Sequence, residues 1–470
     1  MGRQPTKGDI VATTYGHRAA RRRSAPPGPP APRGRRSPAR FILSLVGAGA
    51  VTVLALWWLD TASVVGPAGW LIGAGRIAGL LTGYGCAVLV ALMARVPALE
   101  RGVGSDRVAR WHAMAGRYTV CLLLAHIVLI IWGYALQART SVVRETTTVV
   151  LDYPEMLKGT AGALILVAVG VFSARAVRRR VSYETWYYLH VMTYLALFLA
   201  FGHQLALGAD FAGNAAARNA WYALYLGVAA LVVWFRVLVP VRLNVRHRLR
   251  VAAVVREAPG VVSVLIQGRR LDGLRAEPGQ FLRWRFLTGG LWWTSSPYSL
   301  SAAPRPDQLR ITVKAAGAHS AALALLRPGT RVWAEGPYGA LTSARRTRSK
   351  VLLLAGGVGV TPLRALFETL PARPGELTLL YRARTPGDLA LRSELESIAQ
   401  SRGARLYYAV NAADGTRAAI TVTGLRTILP DIAQHDVYLC GPEGMAQESY
   451  DALRAAGVPA GRIHHESFEL

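Results

Sequence analysis

The chain has 470 residues, of which 52% are hydrophobic, and its mean hydropathy of +0.26 is too high for an ordinary soluble protein of this size. A net charge of +28 would suit nucleic-acid binding. However, the arginines cluster in an N-terminal tail and beside apolar segments, where the positive-inside rule explains them, so no nucleic-acid partner is expected. Three scattered cysteines, Cys86, Cys121 and Cys440, exclude a disulfide framework and a four-cysteine iron-sulfur cluster.

Residues 1–40 form a tail that is rich in Arg, Pro, Gly and Ala. Such a composition cannot bury an apolar core, so the tail is predicted to be disordered. Arg35 and Arg36 precede an apolar stretch, as in a twin-arginine export signal, but that stretch is long and further apolar segments follow. We expect the tail to set topology, and binding of nucleic acid or anionic lipid is the alternative.

Six apolar segments long enough to cross a bilayer follow the tail. Arginines collect around 95–110, 178–180 and 242–250, whereas the link at 60–67 has no basic residue. The positive-inside rule then predicts a multi-pass protein of the cell membrane with both termini in the cytoplasm. The spans are predicted at 41–59, 69–93, 109–136, 159–177, 183–207 and 219–240, with the links at 60–67, 139–158 and 209–219 facing outward.

Two of the segments each carry a pair of histidines: His112 and His126 in the third, and His190 and His203 in the fifth. At about 1.5 Å rise per residue, the members of each pair are about 20 Å apart, most of a hydrocarbon core of about 30 Å. Both helices run outward, so His112 and His190 are predicted to bind an inner haem, and His126 and His203 an outer haem. The alternative for any one histidine is a hydrogen-bonded packing residue.

Because an α-helix rotates by about 100° per residue, the spacing of two histidines decides whether they lie on the same face of the helix. His112 and His126 differ by about 40°, but His190 and His203 differ by about 140°. We therefore expect a local distortion of the fifth helix, for instance a π-bulge near Gly202. Arg76, inside the second span, is expected to meet a haem propionate, and the alternative is a carbonyl or the interface.

After residue 240 the pattern changes. Short alternating runs such as VVSVLIQ and FLRWRF predict an antiparallel β-barrel over 247–345, and apolar runs alternating with helical segments predict a parallel α/β domain over 350–470. The fold class is therefore a multidomain membrane protein: a six-helix bundle over 41–240, a barrel and a Rossmann-like domain. A glycine-rich turn after the first strand of that domain is placed to bind a pyrophosphate through backbone amides, and it contains Gly356, Gly357, Gly359, Thr361 and Pro362.

The barrel carries the segment Pro297-Tyr298-Ser299-Leu300-Ser301. With it, residues 41–470 resemble the ferric reductase and NADPH oxidase superfamily, in which a six-helix membrane domain precedes a flavin and pyridine-nucleotide module of the ferredoxin-reductase type. The resemblance implies that this segment binds FAD, with Tyr298 stacked on the isoalloxazine, Ser299 near its reactive nitrogen and Ser301 close by. It further implies that the flavin pyrophosphate is held near Lys314, Gly317 and Ser320.

One position departs from the family pattern. Ser296 stands where the family usually has Arg or His, so a cationic flavin contact is missing from this segment. Arg283 or Arg285 is the candidate to replace it. His319 is expected to begin a helix and not to bind haem.

The resemblance also implies which residues lie near the nicotinamide nucleotide. Cys440, Gly441 and Pro442 match the segment beside the nicotinamide, although a buried cysteine at a strand end is the alternative. Phe468 matches the aromatic residue of a C-terminal lid over the flavin. Arg382 and Arg384 follow the second strand of the α/β domain, where a guanidinium binds the 2′-phosphate of NADPH, and they favour NADPH over NADH.

These expectations describe a transmembrane oxidoreductase. Cytosolic NAD(P)H reduces FAD, and electrons pass through two non-covalent b-type haems to an outside acceptor, either a ferric chelate or molecular oxygen. Ser299, Cys440 and Phe468 are expected to lie closest to hydride transfer. The alternatives are a haem subunit that serves a partner protein or a quinone, and a membrane-anchored flavin reductase without transmembrane transfer. Homo-oligomer formation is left open.

Overall fold

A computed structural model of the chain describes residues 38–60, 64–178, 180–181, 183–208, 211, 213–412 and 417–466. The predicted basic tail, apart from its last three residues, and Phe468 lie outside the described residues. The chain divides into two compact units. Residues 36–99 and 107–237 build the N-terminal unit, and residues 238–470 make up most of the C-terminal unit.

Helices dominate the N-terminal unit. Six of them are long and apolar enough to cross a membrane, at Ala39–Leu59, Gly66–Leu92, Arg107–Ala138, Met156–Ser173, Thr185–Leu207 and Ala215–His247, which confirms the six predicted spans. In chain order the helices that precede the barrel are α1 (Pro38–Asp60), α2 (Gly66–Leu92), α3 (Pro97–Val103), α4 (Ser105–Ala138), α5 (Val142–Asp152), α6 (Met156–Ser173), α7 (Arg175–Arg178), α8 (Tyr183–Leu207), α9 (Ala215–Val233) and α10 (Val239–His247), of which α10 belongs to the C-terminal unit. The chain is therefore a multi-pass membrane protein.

Two features of this unit differ from the expectations. The link at 139–158 contains the short helix α5, which buries Glu145 and Val149 one turn apart on one face. The expected distortion near Gly202 is not found in α8, which is α-helical over Tyr183–Leu207, and a π-turn lies instead at Trp234–Leu238, between α9 and α10. Gly202 serves close packing, because a Cβ there would lie 2.5 Å from a Glu155 carboxylate oxygen.

The first half of the C-terminal unit is an antiparallel β structure. Its strands are β1 (Arg250–Ala258), β2 (Val261–Gln267), β3 (Phe281–Phe286), β4 (Ser296–Ser299), β5 (Gln308–Lys314) and β6 (Val332–Tyr338), in two sheets ordered β1-β2-β5 and β4-β3-β6. Bridges at Arg250↔Arg331 and Leu300↔Ile311 join the sheets into a closed barrel. In β3, Leu282, Trp284 and Phe286 point into the core and are fully buried, as the alternating pattern predicts.

The second half is a parallel α/β domain. Its five strands are β7 (Val351–Gly356), β8 (Leu377–Ala383), β9 (Arg405–Val410), β10 (Asp436–Cys440) and β11 (Ile463–Glu466), in the order β11-β10-β7-β8-β9. Helices α12 (Val360–Thr369), α13 (Arg392–Arg402), α14 (Val422–Ile428) and α15 (Glu443–Ala455) cover the sheet, and the short α11 (Ala318–Ala322) belongs to the barrel. All six residues of β7 are buried, as expected for a central strand with helices on both faces.

Helix α10 is fastened to the barrel by a side-chain amide. Asn244 Nδ2 donates to the Ala334 carbonyl at 2.8 Å, and the Ala334 N–H donates to Asn244 Oδ1 at 2.8 Å. The amide thus pairs with β6 as a neighbouring strand would. One turn later, His247 Nδ1 lies 2.9 Å from the Arg269 carbonyl. These contacts fix the last turns of α10 on the barrel.

We expect Asn244→Ala to lower the thermal midpoint of the C-terminal unit. The change leaves both polar groups of Ala334 without this partner, at a cost of about 1–3 kcal/mol. The midpoint is measured on the full-length protein by the rise in flavin fluorescence on heating. Asn411→Ala, which removes one hydrogen bond to Ala418 within a loop, is the matched control and should have a smaller effect. An unchanged midpoint for Asn244→Ala would show that these two hydrogen bonds do not stabilise the attachment of α10 to the barrel.

Candidate functional site

The four membrane histidines form two pairs. The rings of His112 on α4 and His190 on α8 lie edge to face, with centroids 5.8 Å apart. His203 on α8 lies within electrostatic range of His126 on α4. The structure thus brings together the same partners that the sequence analysis matched, although α8 is undistorted.

In three of the four imidazole rings, Nδ1 already lies within hydrogen-bond distance of a polar group. His112 Nδ1 lies 3.2 Å from the Leu89 carbonyl, and His126 Nδ1 lies 2.8 Å from the Gly75 carbonyl. A carbonyl only accepts, so each Nδ1 carries the proton and each Nε2 keeps its lone pair. This is the arrangement in which a backbone carbonyl orients a metal-binding histidine. His190 Nδ1 lies 3.3 Å from the Ser173 hydroxyl, to which Trp186 Nε1 donates at 3.3 Å.

Glycines and an aromatic ring shape the space around the histidines. A Cβ on Gly79 would lie 2.6 Å from His126 Nδ1, and a Cβ on Gly159 would lie 2.9 Å from His203 Nδ1. Only glycine therefore lets the backbones of α2 and α6 pass so close to these two rings. Trp186 stacks on His190 with centroids 5.1 Å apart.

This donor set fits haem. Within the described residues, no group of three or more His, Cys, Asp or Glu side chains could hold a bare metal ion. Paired imidazoles with oriented Nε2 atoms instead suit an iron whose remaining ligands come from a porphyrin. Arg76 follows Gly75 on α2 and lies, with Glu145, within electrostatic range of Tyr134, so it belongs to the same region as His126.

The predicted flavin segment forms β4 and is held against β3. Trp284 Nε1 donates to the Tyr298 carbonyl at 3.0 Å, and Pro297 lies opposite Arg283. The Tyr298 side chain is half-buried, and this burial raises its pKa, against a smaller lowering by a hydrogen bond with Ser296. Ser299 is 7% exposed. An aromatic face and a hydroxyl are therefore positioned on one short, well-supported strand.

Two basic side chains stand beside Ser296, where the family pattern has a cation. Arg283 Nη2 donates to the Ser295 carbonyl at 2.9 Å, so Arg283 reaches this segment, whereas Arg285 lies opposite Trp333. His319 Nδ1 lies 3.5 Å from Ser296 Oγ. The sequence predicts only a helix start at His319, because no local pattern links two positions 23 residues apart.

The residues expected near the flavin pyrophosphate form a tight turn. Ser320 Oγ accepts hydrogen bonds from the N–H groups of Ala316 and Gly317, at 2.8 and 3.1 Å. The hydroxyl of Ser320 thus shapes the turn in which Gly317 lies. Lys314 Nζ lies 3.7 Å from Asp388 Oδ1, which links the barrel to the α/β domain.

Ser301 has a different surrounding from the one expected. Its side chain is fully buried, and its hydroxyl accepts from Thr312 Oγ1 at 2.8 Å and from Arg310 Nε at 3.2 Å. Its carbonyl accepts from Arg310 Nη2 at 2.8 Å. Within this structure Ser301 orients Arg310.

Arg310 in turn joins the barrel to the α/β domain. It binds both carboxylate oxygens of Glu394 on α13, at 2.6 and 2.9 Å, and Arg364 of α12 binds Glu394 at 2.9 Å. Arg364 also pairs with Glu368, which accepts from the Ala303 N–H of the barrel at 3.1 Å. Burial works to raise the pKa of Glu394, but Arg310 and Arg364 together bring it below its ordinary value. We call these four charged residues the interdomain network.

The glycine-rich turn packs against the end of β10. Strands β7 and β10 are neighbours, with Ala355 opposite Cys440, and a Cβ on Gly359 would overlap the Cys440 carbonyl oxygen. Gly357 has a φ of +53°, which favours glycine. Gly441 lies equally close, since its Cβ would be 3.1 Å from Gly356 Cα. The structure therefore places the predicted pyrophosphate turn and the predicted nicotinamide segment side by side.

Other predicted residues complete this edge of the sheet. Thr361 Oγ1 donates to the Val358 carbonyl at 3.0 Å, Pro362 lies in the first turn of α12, and Pro442 precedes α15. Cys440 is fully buried, and its Sγ lies 3.6 Å from the Glu466 carbonyl on β11. A Cβ on Gly339 of the barrel would be 2.9 Å from a Glu466 carboxylate oxygen. Glu466, the first residue of the segment that resembles a C-terminal lid, thus stands between the two domains.

Arginines collect beyond the end of β8. Arg382 is the penultimate residue of that strand, and its Nε donates to the Ala418 carbonyl at 2.6 Å, while Arg384 is exposed. Burial, with the nearby charge of Arg417, lowers the pKa of Arg382. Arg417 pairs with Glu448 at 2.7 Å and was not singled out in the sequence analysis. The three arginines form a basic surface suited to a phosphate.

Comparisons with known proteins agree with the division of the chain into a membrane unit and a nucleotide-binding unit. Residues 78–201 match the family model described as ferric reductase like transmembrane component, and residues 353–450 match the oxidoreductase NAD-binding domain. FAD and NAD(P)H binding are the properties of such a reductase-type module.

Individual relatives match a little under half of the chain. The chain is 30% identical to the stachydrine N-demethylase reductase subunit of Rhizobium meliloti, over 45% of this chain and 64% of that one. It is 31% identical to the ferredoxin reductase component of 3-ketosteroid-9-alpha-monooxygenase from Mycolicibacterium smegmatis, over 47% and 65%. The chain thus spans a little under two thirds of the length of these relatives.

A solved structure also aligns with part of the chain. It is the flavohaem-like FAD/NAD-binding domain of nitric oxide dioxygenase from Vibrio cholerae, with 27% identity, a TM-score of 0.40, and coverage of 47% of this chain and 98% of that one. From the two matched domains, the chain joins a ferric-reductase-like transmembrane domain to an FAD- and NAD-binding module of the ferredoxin-reductase type, consistent with the ferric reductase and NADPH oxidase superfamily.

Proposed function

We propose that this membrane oxidoreductase passes electrons from cytosolic NAD(P)H, through FAD and two b-type haems, to an acceptor on the outer side of the cell membrane. The observation that carries the proposal is the pairing of His112 with His190 and of His126 with His203, in one chain with a pyridine-nucleotide module. Both termini would then be cytoplasmic, as the arginine-rich links favour.

On the membrane side, two of the four imidazoles are already oriented by backbone carbonyls. The carbonyls of Leu89 and Gly75 keep the protons of His112 and His126 on Nδ1. His112 with His190, and His126 with His203, would hold haem, which would supply a one-electron carrier. In this proposal the acceptor takes its electron near the outer pair.

On the cytosolic side, the residues bind and align two cofactors. FAD, when bound, accepts a hydride from the nicotinamide and passes on single electrons. Tyr298 offers a stacking face and Ser299 a hydroxyl, while the turn at Gly356–Gly359 offers amides to a pyrophosphate. Cys440 ends β10 with a small side chain, which leaves room for the nicotinamide. The basic surface of Arg382, Arg384 and Arg417 favours NADPH.

The acceptor is a ferric chelate or molecular oxygen in this proposal. A second candidate function has support from the names of the relatives, since one is the reductase subunit of a demethylase and the other is the ferredoxin reductase component of a monooxygenase. In that case the chain would deliver electrons to a partner protein. The two functions differ in whether purified protein oxidises NADPH with a small acceptor alone.

A reduced-minus-oxidised visible spectrum tests the haem assignment. We expect about two b-type haems per chain, reducible by NADPH, and we expect His112→Leu or His190→Leu to lose one of them because an axial ligand is removed. Flavin-dependent dye reduction should persist in both variants. His465→Gln, on β11, is the matched control and should keep both haems. Unchanged haem content in the His112 and His190 variants would refute the pairing.

Arg384→Ala tests the nucleotide preference. Arg384 is exposed beyond β8, so its removal should leave folding intact and weaken only the contact with a 2′-phosphate. We expect the KM for NADPH to rise about tenfold or more, as a charge-assisted hydrogen bond is lost, while the KM for NADH stays the same. Steady-state dye reduction with each nucleotide measures both values. An equal rise for NADH would contradict the assignment.

Glu394→Gln tests the interdomain network. Without the carboxylate, Arg310 and Arg364 keep their charges but lose the group that binds both, so the two domains should shift relative to one another. Because hydride transfer depends on close alignment, we expect flavin reduction by NADPH to slow by up to about 100-fold. Anaerobic stopped-flow absorbance measures this rate.

The control for that experiment lies on the same helix. Glu396 pairs with Arg392 within α13, so Glu396→Gln removes a salt bridge without touching the network. FAD content and reduction by dithionite should be normal in both variants. Equal rates for the two variants, or a slow rate explained by FAD loss, would contradict an aligning role for Glu394.

A further inference from the structure

One barrel loop carries most of the exposed large apolar side chains found after residue 250. Among the described residues from 250 to 466, the exposed large apolar side chains are those of Val255, Leu287, Trp292, Trp293 and Leu325. Three of these five lie in the loop at 287–295, between β3 and β4, and Trp292 is 61% exposed. Leu291 in the same loop is only 5% exposed. The loop is thus anchored in the core by Leu291 while both tryptophans point outward.

Backbone contacts place this loop at one end of the barrel. The Leu287 N–H donates to the Arg331 carbonyl at 2.9 Å, Arg331 bridges to Arg250, and the Val332 N–H donates to the Leu249 carbonyl at 3.0 Å. Arg250 begins β1, three residues after α10 ends. The loop therefore lies at the end of the barrel where the chain enters it. We call this end the entry face.

The entry face is also strongly basic. The Arg269 N–H donates to the His247 carbonyl at 2.8 Å, and the Gly268 N–H donates to the Asp307 carbonyl at 2.9 Å, so the turns after β2 and before β5 belong to it. Its segments 246–250, 268–272, 305–308 and 329–332 contain seven arginines and two aspartates, a formal net charge of +5. Arg248, Arg250, Arg269, Arg270 and Arg331 are all exposed.

We propose that the entry face is a membrane-binding surface for anionic phospholipid, with Trp292 and Trp293 in the headgroup region and the arginines on lipid phosphates. Tryptophan prefers the membrane interface, and clustered arginines beside a span select anionic lipid. Chain continuity argues for lipid over other occupants. The entry face begins at the end of the membrane-spanning helix Ala215–His247, so lipid is present at a high effective concentration. The surface is independent of the haem assignment.

Spin labels on the full-length protein test this surface. Trp292→Cys and Leu325→Cys each receive a nitroxide in a Cys121→Ser background, since Cys121 is exposed whereas Cys86 and Cys440 are buried. Leu325 is 81% exposed and is the control site. Accessibility to oxygen, which partitions into lipid, is compared with accessibility to a water-soluble nickel chelate. Nanodiscs contain phosphatidylcholine with or without phosphatidylglycerol.

We expect the label at 292 to be accessible to oxygen and shielded from nickel in discs with phosphatidylglycerol, and the label at 325 to be nickel-accessible in both. Adding Arg248→Gln and Arg331→Gln should return the 292 label to water. A 292 label that is nickel-accessible in both discs would overturn the proposal. Shielding from both probes would also overturn it, because that result indicates a protein contact.

A second measurement separates lipid contact from flavin binding. In the double variant Trp292→Ser, Trp293→Ser, FAD content and NADPH-dependent dye reduction should equal those of the wild type. A proportional loss of FAD would assign the loop to the flavin and overturn the proposal. These readouts need neither haem, so failure of the haem assignment leaves this test intact.

Discussion

A neutral imidazole inside a membrane needs a partner for its N–H group, and this requirement determines how α2 contacts α4. Carbonyls of α2 meet it for His112 and His126, through Leu89 and Gly75. One interaction therefore does three things: it compensates for the loss of water, fixes the tautomer, and directs Nε2 away from α2. Because the carbonyl must reach the ring, α2 and α4 have to lie in contact along their length.

Close helix contacts of this kind depend on glycine. Membrane helices gain little from burying apolar surface against each other, so small residues that admit close backbone approach take over. Gly79 and Gly159 serve the two rings of the second histidine pair, and a Cβ on Gly162 of α6 would lie 2.6 Å from the Ala196 carbonyl of α8. The histidine rings and the glycines therefore pack against each other. A larger side chain at Gly79 or Gly159 would displace the neighbouring ring.

In the C-terminal unit, strand β4 lies between the aromatic loop of the entry face and the interdomain network. Its first residue follows the aromatic loop of the entry face, and two residues beyond its end Ser301 holds Arg310 in the interdomain network. Arg310 and Glu394 are partly buried, and removing charges from water is costly, so this ion pair contributes less to stability than to selecting one arrangement of the two domains. The strand that carries Tyr298 and Ser299 is thereby fixed to the domain that carries Gly359 and Cys440.

Sequence alone determined the parts that depend on local pattern. Apolar length predicted six spans, alternation predicted the barrel strands, and a glycine-rich turn between strand and helix predicted the loop beside Cys440. Apart from the matched histidine pairs, the tertiary structure decided which distant groups meet. Two contacts join segments that are far apart in the chain: His319 with Ser296, and Glu466 with Cys440. A third joins Ser301 to Arg310 on the neighbouring strand β5. Periodicity reports which face of an element is buried but carries no information on what covers it, so these contacts appear only when the chain is folded.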